Sequence, residues 1–99
     1  MRGRFVDLVE RQLELFETEH EDLLEDCRVA LDAYNAASRE EAEELYGDYV
    51  DQVDSARDAL LGYRYAYAST LDAEAADEYE EVFNRVARRR LPSLGLELD

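Results

Sequence analysis

From residue 5 to residue 37 the core-type positions recur at alternating spacings of three and four: Val6, Val9, Leu13, Phe16, His20, Leu23, Cys27, Ala30, Tyr34 and Ala37. That spacing lays all ten on one stripe of an α-helix, and neither Gly nor Pro interrupts it. A single helix is therefore expected over residues 4–36, roughly 50 Å long at 1.5 Å per residue. The flanking apolar residues change side along it. Phe5, Leu8 and Leu15 flank the first half and Leu24 and Leu31 the second, so the two halves should have different neighbours.

A turn is expected at Asn35-Ala36-Ala37-Ser38. Ser38 followed by Glu41 has the spacing of a capping box, and Glu40, Glu41, Glu43 and Glu44 suit a helix N-terminus. The second helix is expected over 39–69, with Ala42, Tyr46, Tyr49, Val53, Ala56, Leu60, Tyr63 and Tyr67 on its stripe. Gly47 and Gly62 lie inside it. Each costs about 1 kcal/mol relative to Ala, which implies a close approach by a neighbour. A short turn makes an antiparallel hairpin and brings His20 level with Val53 and Asp54, and Cys27 level with Gly47. Ala59 to Leu71, with Arg64 its one charge, is apolar nearly all round and should be covered on more than one side. Ser69, Thr70 or Asp72 can cap a third helix over 73–90, carrying Ala76, Tyr79, Val82, Phe83 and Val86, which Pro92 stops. Residues 92–99 form a tail in which Leu94, Leu96 and Leu98 alternate with other residues, as in a short extended arm.

The fold class that results is all-α: a long antiparallel helical hairpin plus a shorter third helix, an up-down-up three-helix bundle within one domain over residues 1–91. The third helix is too short to cover the turn-proximal half of the hairpin. Leu24, Leu31, Leu45 and Val50 would lack a third wall, at about 1.5 kcal/mol or more for each side chain left exposed. Either the leucine tail or a second subunit must cover them. A homodimer completing a larger helical bundle is expected, with Tyr65, which points off the stripe, as a further interface candidate.

Composition alters the setting more than the fold. Against 26 Asp and Glu there are 11 basic residues, all of them Arg, and the formal net charge is −15. Lys, Ile and Trp do not occur in the 99 residues. Acidic, Lys-free surfaces suit molar salt, where the Debye length falls to ~3 Å and self-repulsion is screened. Across its whole length the composition resembles that of a small protein from a salt-in halophilic archaeon; GC-rich coding at ordinary salinity is the other source of such a bias. The charge argues against nucleic acid or an anionic membrane as the main partner. The apolar runs are too short to span a bilayer, and Met1 to Phe5 leads into the helical stripe without a signal-peptide core. With the single Cys27, a reducing cytoplasm is expected.

Candidate chemistry is sparse. Glu17 and His20 have the Glu-x-x-His spacing that resembles a ligand pair of ferritin-like diiron proteins, and Asp54 is expected at the same level; these three are the candidates for a metal site. A diiron site needs two such motifs and two more Glu, and the chain has one His, so the other reading makes His20 a register-fixing interruption bonded to an acid. Cys27 lies among apolar residues and acids, which suits a buried small hydrophobe rather than a nucleophile. Arg85, Arg88, Arg89 and Arg90 either contact phosphate or neutralise acids of the first two helices near Glu21, Asp22, Glu25, Asp48 and Asp51. There is no Gly-rich phosphate loop, no Cys/His cluster and no Ser-His-Asp arrangement, and no cofactor is expected. The reading that results is a non-enzymatic protein–protein interaction or assembly module. A small-ligand or metal-binding bundle and an Arg-cluster nucleic-acid regulator are the alternatives.

Overall fold

A computed structural model describes residues 3–94 as four α-helices and a terminal 3-10 turn. Helix α1 spans Val6–Glu19, α2 Glu21–Asn35, α3 Ala42–Ala68 and α4 Ala73–Arg90, with the 3-10 turn at Pro92–Leu94. No strand occurs among the described residues. The molecule is elongated, 50 × 24 × 23 Å.

The expected first helix is broken in two. His20 takes φ −119° and ψ 32°, outside the helical basin. Its N–H still reaches the Phe16 carbonyl, and its own carbonyl starts the next helix by accepting from Leu24. The charge pattern explains why the chain yields here. In one continuous helix Glu21 would lie four residues after Glu17, and like charges at that spacing repel. After the break Glu21 and Asp22 occupy the first turn of α2, where the helix dipole favours them. Thr18 also donates to the Glu14 carbonyl, a back-bond that bends helices. The break gives the two halves the different neighbours that the flanking residues imply: α1 lies against α4 and α3, whereas α2 lies along α3.

The turn between α2 and α3 is longer than expected. Ser38 Oγ donates to Glu41 Oε1 instead of accepting a backbone N–H, while the Ser38 carbonyl accepts from both Glu41 and Ala42. The continuous helix therefore starts at Ala42 rather than residue 39, and the pairing slides by more than one helical turn. The Tyr34 ring packs against Tyr46 and the His20 ring against Tyr63, so His20 is not level with Asp54. At the next boundary Asp72 is the residue that caps, its carboxylate accepting from Ala75 N at 2.9 Å. Ser69 and Thr70 instead donate to the Ala66 and Tyr67 carbonyls and close the end of α3.

The core gathers at the end where three helices overlap. Val9, Leu13 and Phe16 of α1, Ala56 and Leu60 of α3, and Tyr79, Phe83 and Val86 of α4 are its buried centre. Phe5, Tyr67 and Tyr79 pack ring to ring at one end of it, and the Tyr79 hydroxyl donates to Gln12 Oε1 at 2.7 Å. Phe5 reaches this position with φ 72°, a left-handed conformation that costs a non-glycine residue about 1–2 kcal/mol. Its ring contacts, and the Arg4 guanidinium 4.7 Å above it, hold it there. Leu94 of the tail is buried, and its carbonyl accepts from Arg57 Nε at 3.0 Å, which pins the 3-10 turn to the middle of α3. The expected arm is thus a tight turn as far as Leu94; Leu96 and Leu98 lie outside the described residues.

Candidate functional site

Beyond the Arg57–Leu94 bond α4 has ended, and α2 and the first half of α3 run on as a two-helix overhang. The overhang is where the expected interface residues fall. Leu24, Leu31, Leu45 and Val50 are all half-buried. Leu24 packs on the core edge, and with Leu31, Cys27, Tyr49 and Val53 it lines an apolar cleft of ≈ 380 Å³ closed at its base by Leu91, Ser93 and Leu94. Val50 lies in an adjoining groove with Tyr46, Tyr49 and Arg57. Leu45 faces the other side, in a groove of ≈ 480 Å³ edged by Asp26, Asp48 and Asp51. The tail therefore covers part of the expected bare surface and leaves the rest half-exposed. Tyr65 is 75% exposed but sits on α3 at the three-helix end, away from the overhang. The apolar segment Ala59 to Leu71 lies against both α1 and α4, through Tyr63 on Phe16 and Tyr67 on Tyr79, and leaves Tyr65 and Ala66 exposed.

The three metal candidates are not brought together. Glu17 accepts two hydrogen bonds from Arg90, at 2.9 and 3.0 Å. Asp54 pairs with Arg57 at 3.2 Å on its own helix. His20 packs between Phe16, tilted, and Tyr63, edge to face, with ring centroids 5.1 and 5.9 Å away. The bond from His20 to an acid, expected from the shorter turn, is replaced by these ring contacts. Tyr63 takes the acid instead: its hydroxyl donates to Glu19, and burial followed by that carboxylate pushes its pKa up to about 12. Among the described residues no three His, Cys, Asp or Glu side chains form a set that could hold a metal ion.

The other polar candidates also resolve. Burial first, and then the Asp26 charge, pushes the Cys27 thiol upward, the opposite of what activates a nucleophile. Of the arginine cluster, Arg90 alone reaches acids, and these are Glu14 and Glu17 of α1 rather than the α2 and α3 acids expected from the shorter turn. Arg85, Arg88 and Arg89 are exposed, with no carboxylate at ion-pair distance among the described residues. On the overhang Arg28 pairs with Glu25 and with Asp32, which raises its own pKa and lowers that of Glu25.

The chain matches no protein-family model, and comparison with curated proteins and with solved structures finds no similar chain.

What sequence spacing missed is the cleft itself, because its base is built by Leu91 and Leu94, residues more than 60 positions from Leu24 in a segment that reads as an arm. The one available signal was the run of leucines after Pro92. No helix among the described residues is long and apolar enough to cross a membrane.

Proposed function

We propose that this chain is a non-enzymatic protein–protein interaction or assembly module that works as a homodimer joined through the overhang. The supporting observation is the unequal reach of the helices. α4 stops at the level of Arg57, so the apolar seam of α2 and α3 continues past the end of its third wall. Half-buried side chains in a groove bounded by two helices gain the rest of their burial only from another surface. Light scattering of the full chain at about 100 μM should return twice the 11.5 kDa chain mass; a monomer mass at that concentration overturns the proposal.

A second reading is favoured by the cleft. Its ≈ 380 Å³ falls within the ~300–1,000 Å³ range of small-molecule pockets, and its lining is almost wholly apolar, so the ligand would be apolar too. Native mass spectrometry of freshly purified protein tests it, since a bound apolar compound adds a discrete mass that organic extraction removes.

The acidic, Lys-free surface supports a cytoplasm of high salt as the working environment. Helical circular dichroism should then fall as salt is dialysed away; retention of full signal in dilute buffer overturns that assignment.

A further inference from the structure

The two faces of the overhang differ in charge. One face is continuous with the end of α4 and carries the apolar cleft together with Tyr46 and Val50. Its charged rim is close to neutral: Arg28 pairs with both Glu25 and Asp32, and Arg57 with Asp54, so two arginines face three carboxylates. The opposite face sets Asp26, Asp48 and Asp51 around Val29 and Leu45, with no arginine in its lining. Copies of a chain with net charge −15 repel one another, so self-association is least opposed where the surface cancels its own charge. The cleft face comes nearer to that condition than the Asp26 face, whose three aspartates have no arginine among them.

The ends of the overhang are complementary as well. At its tip Glu40, Glu41, Glu43 and Glu44 are exposed at the start of α3. At its base, on the last turns of α4, are Arg85, Arg88 and Arg89, exposed and unpaired among the described residues. From Ala42 to Arg57 the overhang spans roughly 22 Å, which is the length α4 lacks. Two overhangs laid antiparallel across a two-fold axis would each fill the space in line with the other's α4, and each acidic tip would arrive beside the other copy's arginines. A face of that length and two helices (~20 Å) wide covers roughly 440 Å² in projection, about half of the ~800 Å² per partner of a standard interface, and the charged ends add to it.

We infer that the apolar cleft face docks a second copy of this chain, antiparallel, with Arg85, Arg88 and Arg89 of each copy against Glu40, Glu41, Glu43 and Glu44 of the other. This rests on the homodimer reading above and adds to it the face and the ion pairs. The test is sedimentation equilibrium of the full chain in the lowest salt that retains its helical signal. Tyr46→Asp changes a side chain that is already 51% exposed, so the monomer fold survives while the dissociation constant rises at least about tenfold. Val29→Asp, on the opposite face and also exposed, leaves it within about twofold. Arg88→Glu with Arg89→Glu raises it about tenfold, and adding Glu43→Arg with Glu44→Arg restores it. A wild-type monomer overturns this inference and the homodimer reading together. A dimer that Val29→Asp dissociates and Tyr46→Asp does not, or a charge reversal with no rescue, overturns the docking geometry and leaves the homodimer standing.

Discussion

Gly47 and Gly62 offer a sharp perturbation, because each lies inside α3 and each can be replaced without touching anything. A Cβ built at either position meets no heavy atom within 4 Å, and both residues are exposed. Their cost inside a helix implies close approach by a neighbour; within the described residues no neighbour approaches. Replacing each by Ala therefore removes backbone freedom from the unfolded chain and adds no clash, which is worth about 0.8–1 kcal/mol per site in a helix interior. The sites are fifteen residues apart, roughly 22 Å along the helix, so their effects should add. Gly47→Ala with Gly62→Ala should then raise stability by about 1.5–2 kcal/mol, which for a domain of this size is a melting shift of roughly 6–15 °C. Thermal circular dichroism and urea denaturation at fixed protein concentration measure it, and the urea slope should not change. Destabilisation at either site refutes the reasoning. If Gly47→Ala also dissociates a dimer, the bare backbone at 47 is occupied from outside the chain, and the glycine is kept for an intermolecular contact instead.

Other outcomes can be checked in the same assays. Burial pushes the Tyr79 hydroxyl up to about 12 despite its bond to Gln12, so the folded state holds this proton more tightly than the unfolded chain, whose tyrosine titrates near 10. That contribution, of the order of 2 kcal/mol, is complete below pH ~10 and is lost as pH rises from there to about 12; Tyr79→Phe should flatten this part of the urea-midpoint profile. Leu94→Ala should cost about 2–4 kcal/mol, as for other fully buried leucines, and a loss below 0.5 kcal/mol would mean that the tail does not pin α4 to α3. Arg90→Ala should cost about 0.5–1 kcal/mol and less at high salt, since its partners Glu14 and Glu17 are at the surface.

The all-helical class, the third helix over 73–90 and most of the core were set by the sequence itself. Period-3.6 patterning needs no long-range information, and Val9, Leu13, Phe16, Leu60, Tyr79, Phe83 and Val86 are buried as that pattern requires. Asp72 and Pro92 bound the last helix through local backbone chemistry. Tertiary structure decided the break at His20, which no Gly or Pro announces and which follows from like charges and from α1 and α2 choosing different neighbours. It also decided the register of the hairpin. Whether the Ser38 hydroxyl caps a backbone N–H or donates to Glu41 differs by a single hydrogen bond, yet the outcome moves His20 from Asp54 to Tyr63 and separates the metal candidates. The cleft is likewise a global feature: it exists because a turn at Pro92–Leu94 folds back onto Arg57, a contact across 37 positions that local pattern cannot encode, whereas the overhang follows from the unequal helix lengths already legible in the sequence.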